Sequence, residues 1–145
     1  MLTPFEVFAI LAAGLFAGAA IYVNLAEHPA RMVLETRHAV RQWAPSYARA
    51  TRMQAPLAVI GFACAMIAWW QQSETTWLAA GLLLGAVVPF TLIVIMPTNQ
   101  KLLEPKRDLD SSETRALLKH WNRLHAGRSA LGLTAFAIAV GGRAF

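Results

Sequence analysis

A single cysteine, Cys64, excludes any disulfide within the chain. Charge is scarce too. Only 14% of the 145 residues are Asp, Glu, Lys or Arg, against about 25% in an ordinary soluble domain. The sequence has no glycine-rich phosphate loop, no HxxxH or HExxH pair, no cysteine cluster and no serine–histidine–acid pattern. Phosphate cradling by a P-loop, zincin-type hydrolysis and triad acyl transfer therefore have no basis in it. Positive charge is also missing from the first residues. Met1-Leu-Thr-Pro-Phe-Glu6 has no cation and carries Glu6 instead, so the first segment is expected to persist as a helix rather than act as a cleaved signal.

Apolar residues are abundant, at 57%, and they come in blocks: residues 7–23, 55–70, 77–96 and 129–142. A spanning helix needs roughly 20 mostly apolar residues. The third block reaches that outright. The first does so if residues 4–27 are helical, and the second if Gln54 and Gln71 sit at the interfaces. The fourth is short and relies on the preceding helix or on Arg143 reaching back to the surface. The expected fold is all-α. It is one domain over residues 1–145, an integral membrane four-helix bundle with spans near 4–27, 54–71, 77–96 and 124–143.

The net charge of +5 is distributed unevenly. Twelve of the thirteen Lys and Arg residues fall between the first and second or between the third and fourth apolar blocks, and the 71–76 connection has none. In a four-span chain those two regions lie on one side. The positive-inside rule makes that side cytoplasmic and places both termini outside, with the bacterial inner membrane as the expected location. The basic surplus thus reads as a topology signal and an attraction to anionic lipid, with no nucleic acid as partner. Trp69, Trp70 and Trp77 bracket the outer connection as an aromatic belt. Residues 30–44, rich in arginine, predict an interfacial amphipathic helix between spans one and two, broken by Pro45. Pro29 and Pro97 are expected to end spans one and three. Asp110 with Glu113 predicts the start of the last helix as a variant capping box.

All four histidines, His28, His38, His120 and His125, and all three asparagines, Asn24, Asn99 and Asn122, map to the cation-rich end. On an ideal helix Trp121, His125 and Arg128 share one face, and Gly132 extends it. Ala13, Ala17, Ala20, Asn24 and His28 form a second stripe, on span one. The first face is either an interfacial belt with a snorkelling arginine or one wall of a site. An intramembrane amide such as Asn24 either ties helices together or serves a ligand. His38 reads as solvated and His120 as structural. A metal site of His28, His125 and Glu27 meets the difficulty that Glu27 and His28 diverge by about 100° on a regular helix. A haem held by His28 and His125 is a second metal reading.

Asn24 with His28-Pro29, Met96-Pro-Thr-Asn-Gln-Lys-Leu-Leu103, and Trp121-x3-His125-x2-Arg128 together resemble the anthrone oxygenase-like family of small four-span membrane proteins, long catalogued as a domain of unknown function. The resemblance runs over essentially the whole chain. It implies a membrane-embedded oxygenase, a monooxygenase acting with dioxygen on a planar phenolic or polycyclic ligand at a pocket on the cytoplasmic side, with no cofactor as the first expectation. Fungal members of that family are associated with oxidising anthrones to anthraquinones. On matching positions the resemblance implies His125 as base, Arg128 and Asn99 as stabilisers of an enolate oxygen, Trp121 as a stacking wall, and Asn24 and His28 as orienting groups. Two other classes stay open at this point: a metal- or haem-binding redox protein using His28 and His125, and a non-catalytic subunit or small-ligand binder. Association into homo-oligomers also stays open.

Overall fold

The computed structural model describes residues 1–142, so the expected role of Arg143 lies outside the described residues. Four long helices account for most of the chain, and no strand occurs among the described residues. They are α1 (Pro4–Arg31), α2 (Thr36–Gln72), α3 (Thr75–Leu102) and α4 (Ser112–Gly141). The first three are long and apolar enough to cross a membrane. In α4, His125 and Arg128 interrupt the apolar run, and this helix packs along α1 and α3 in the same bundle. The helices form a ring in which α1 touches α2 and α4, α3 touches α2 and α4, and diagonal partners scarcely meet.

Local chemistry explains where the helices start. Thr3 caps α1 by accepting from the Glu6 amide at 3.3 Å, the Glu6 carboxylate accepts from the Thr3 amide at 2.6 Å, and Pro4 follows the cap. The last helix is capped by Ser111, which accepts from the Thr114 amide at 3.1 Å. The expected cap, Asp110, is engaged elsewhere: its carboxylate accepts hydrogen bonds from Arg37. Those bonds, with the charges of Arg37 and Arg41 behind them, hold the Asp110 carboxyl below the ordinary range.

The prolines do not stop the helices where the sequence led us to expect. Pro45 and Pro56 lie inside α2 with their rings on its exposed side. Of the interfacial helix expected over residues 30–44, residues 36–44 are helical, but residues 32–35 form a turn, and the helix continues through Pro45 into span two without a break. Pro29 and Pro97 are each preceded by a π-helical stretch, Val23–Glu27 and Thr91–Ile95. A proline ring clashes with the carbonyl four residues back in a regular helix. The wider π turn takes up that conflict, so α1 and α3 run on past their prolines.

Away from the cation-rich end, α1 contributes mostly small residues to the interior, packed around Phe16, Leu84 and Trp77. Ala9, Ala12, Ala13, Ala17 and Ala20 of α1 are buried, and a Cβ on Gly61 would collide with Leu84 and meet Ala12. The large apolar side chains Phe8, Leu11, Leu15, Ile60, Leu82 and Leu133 face outward instead. Such an arrangement suits lipid outside and close helix contact inside. Trp69 and Trp70 are outward-facing, whereas Trp77 is buried in the core, which corrects its place in the expected belt.

Candidate functional site

At the cation-rich end the interior changes character. Trp121, His125 and Arg128 are only 3%, 4% and 6% exposed, so their shared face points into the bundle and not toward lipid. His28 and Asn99 are buried as well, and Asn24 is half-buried.

Asn24 is the junction between α1 and α4. Its Nδ2 donates to the Asn122 backbone carbonyl at 3.0 Å and to Asn122 Oδ1 at 2.8 Å. The amide is thereby oriented, and its Oδ1 faces α4 as an acceptor. Ser129 Oγ donates to that oxygen at 2.6 Å, and His125 Nδ1 lies 2.9 Å from it. A neutral His125 must therefore carry its proton on Nδ1, leaving Nε2 with the lone pair.

Trp121 organises the rings. The imidazoles of His125 and His28 stack on it with centroids 4.9 and 5.8 Å away, each at 30°. Trp43 meets it edge-on at 5.7 Å, and Tyr47 stacks on Trp43 at 5.3 Å. The indole Nε1 of Trp121 donates to Asn99 Oδ1 at 2.8 Å. Deeper in the bundle, the Arg128 guanidinium sits 5.2 Å from the centroid of Phe16, a cation–π contact. The Phe16 ring in turn fills the space where Gly132 lacks a side chain.

A cavity of ≈10 Å³ lies among these groups, lined by Trp121, His125 and Arg128 on α4 and by Arg31, Trp43 and Gln54 opposite, among others. A larger groove of ≈120 Å³ adjoins it between α2 and α3 and shares Tyr47, Thr51 and Arg128 with it. Asn24, His28 and Asn99 do not line the cavity; they stand behind the rings that do. His38 and His120 are exposed and do not line it.

Sequence reasoning missed Arg31, Trp43, Gln54, Asn122 and Ser129. Arg31 is buried, with Nη2 2.5 Å from Glu27 Oε1, and it also donates to Gln42. Ser46 donates to the same Glu27 oxygen. The signal for Arg31 was present in its spacing, four residues after Glu27 and three after His28. Ser129 likewise stands four residues after His125. Glu27 is thus committed to Arg31 and Ser46 and is not a third ligand beside His28 and His125. Among the described residues no three His, Cys, Asp or Glu side chains gather as a metal site.

The sequence profile of the anthrone oxygenase family matches residues 43–138. That stretch contains Trp43, Gln54, Asn99, Trp121, His125 and Arg128. A protein from the fungus Pestalotiopsis fici described as "Anthrone oxygenase ptaC" is 31% identical over 117 residues, covering 69% of this chain and 81% of that protein. No solved structure matches.

Proposed function

The chain belongs to the anthrone oxygenase family, and from that membership we propose that it is a membrane-embedded oxygenase converting a ring methylene of a planar phenolic substrate to a ketone with dioxygen. The observation that carries this reading is His125: buried, at the wall of a cavity beside Arg128, with Nδ1 tied to Asn24. Its Nε2 is the basic nitrogen, and the reaction begins with loss of a proton from a carbon next to a phenol-stabilised ring system.

His125 Nε2 takes that proton, and the substrate becomes a delocalised carbanion. Arg128 stabilises the oxygen on which the charge collects, in a site from which bulk water is excluded. The carbanion gives one electron to dioxygen, and the two radicals combine to form a carbon–oxygen bond. The peroxide takes the proton held by His125. Loss of the second methylene proton with cleavage of the oxygen–oxygen bond then gives the ketone and water. The net change is CH2 + O2 → C=O + H2O. Asn24 sets the tautomer of His125, and Trp121, stacked by both imidazoles, holds the rings instead of serving as a stacking platform. Asn99 acts through Trp121. The basic end of the bundle lies on the cytoplasmic side in this reading, with both termini outside.

The test is a screen of hydroxylated anthrones for oxygen uptake and ketone formation by the purified protein. With ¹⁸O₂ one labelled atom should enter each product. His125→Ala should lower turnover by about 10²–10⁴-fold, the usual loss for a general base, while leaving substrate binding in place. His38→Ala should be silent. Full activity in His125→Ala would remove the base assignment, and loss of a bound metal or haem with activity would replace the reaction by redox chemistry.

A further inference from the structure

Four buried polar atoms around the small cavity have no partner: Arg31 Nη1, Trp43 Nε1, Gln54 Oε1 and Arg128 Nε. All four side chains line that cavity, and none of the four residues is more than 6% exposed. A buried polar atom without a partner is costly, so four around one space point to something that satisfies them together. Three are donors and one is an acceptor. Two of the donors belong to guanidinium groups, and the nearby carboxylate of Glu27 is already taken by Arg31 Nη2 and Ser46. The space, ≈10 Å³, has room for about one oxygen-sized group. Its chemistry suits an ionised oxygen with a hydroxyl proton nearby for Gln54 to accept.

The cavity is too small for a ring system, but the adjoining groove is not part of the same chemistry. Its walls are Thr51 and Ala58 of α2 and Val88, Leu92 and Met96 of α3, nearly all apolar. Tyr47, Thr51 and Arg128 line both spaces, so the groove lies side by side with the cavity against these three side chains. Leu92 and the half-exposed Val88 put its mouth where lipid would lie.

We infer that the two spaces are halves of one binding site, in which Arg31, Trp43 and Arg128 donate to the ionised oxygen of a hydroxylated polycycle and Gln54 accepts from its neighbouring hydroxyl, while the ring body lies in the groove between α2 and α3, entered from the bilayer. The identity of the ligand rests on the reaction proposed above; the division into an oxygen half and a ring half rests on the cavity, the groove and the unpartnered atoms. Arg31 and Trp43 thereby act on the ionised oxygen and Gln54 on the neighbouring hydroxyl, while His125 acts on the carbon.

The test measures binding of 1,8-dihydroxyanthraquinone and of unsubstituted anthraquinone to the protein in lipid nanodiscs by titration calorimetry, with empty nanodiscs subtracted. Gln54→Leu and Trp43→Phe should each weaken the dihydroxy probe by roughly ten-fold, as loss of a charge-assisted or buried hydrogen bond does, and leave anthraquinone within about two-fold. Trp43→Phe keeps an aromatic ring against Tyr47, so its fold is preserved if Gln54→Leu proves unstable. Val88→Trp and Leu92→Trp place bulk in the groove from its outer wall, outside the core, and should abolish binding of both probes. Unchanged dihydroxy-probe affinity in both Gln54→Leu and Trp43→Phe would overturn the oxygen half. Unchanged affinity in both groove variants would overturn the ring half. A wild type that shows this binding pattern yet oxidises no anthrone contradicts the proposed reaction and leaves the site standing. Oxidation that depends on His125 but is indifferent to the groove variants contradicts the site and leaves the reaction standing.

Discussion

The two ends of this bundle are built by opposite rules. Around Ala9, Ala12, Ala13 and Phe16 the interior is small and apolar, glycines admit neighbouring side chains, and specificity comes from close helix approach. Around Trp121, His125 and Arg128 the interior is polar and aromatic, interrupted by two π turns and holding charges that are expensive at membrane depth. A bundle stable by packing alone has no need of the second arrangement. In the proposed reading the contrast gives structure to one end and chemistry to the other, and each end can be tested against the other.

Sidedness should give the largest, all-or-none difference. In a Cys64→Ala background, Ser73→Cys and Ser111→Cys should react with an impermeant maleimide from opposite faces of oriented vesicles. Labelling of both from one face would break the four-span arrangement. Next comes Asn24→Leu, which removes the acceptor for His125 and Ser129. Turnover should fall by about 10²-fold, the scale of a small misplacement of a reacting group, whereas stability should fall by only about 1 kcal/mol. Gly61→Leu should do the reverse. Overfilling the contact with Leu84 and Ala12 should lower stability by about 1–3 kcal/mol, seen as an earlier thermal transition, with turnover per folded molecule unchanged.

The smallest effect concerns Asp110, an exposed carboxylate on the loop before α4. Its folded pKa is depressed by Arg37, so its contribution is present above the unfolded carboxylate value near 4 and is lost as pH falls through the lower folded value. Asp110→Asn should therefore melt slightly earlier than wild type at pH 7, and the gap should close in strong acid. A gap that persists at low pH would show that the Arg37 contact does not depend on the carboxylate charge.

Much of this division is written in the sequence. Hydropathy blocks mark the helices because a lipid-facing surface must be apolar throughout. Trp121, His125 and Arg128 are legible as a face because helical spacing alone aligns them. Other features are not local. Arg31 sits in an arginine-rich segment that reads as an interfacial helix, and only the fold reveals that Glu27, Gln42 and Ser46 enclose it. Gln54 looks like an interface residue until α2 is seen to run unbroken from Thr36. Pro45 lies inside that helix with its ring on the exposed side, and Pro29 and Pro97 follow π turns that absorb the clash; a proline by itself does not announce either outcome. Likewise, the basic residues serve more than topology. Arg115 donates to the Met32 and Leu34 carbonyls at 2.6 and 3.1 Å, and Arg107 ties the loop before α4 to Glu113. Those contacts depend on where the loops pass, which charge counting cannot see.

The central claim is that His125 takes a proton from the substrate carbon, and this step can be isolated by withholding oxygen. Under anaerobic conditions in D2O, the wild-type protein should accelerate deuterium incorporation at the reactive methylene of a hydroxylated anthrone, followed by mass spectrometry. His125→Ala should exchange at the uncatalysed rate while still binding the anthrone. Wild-type exchange no faster than in buffer, from a protein that oxidises the same compound once oxygen is admitted, would contradict the account.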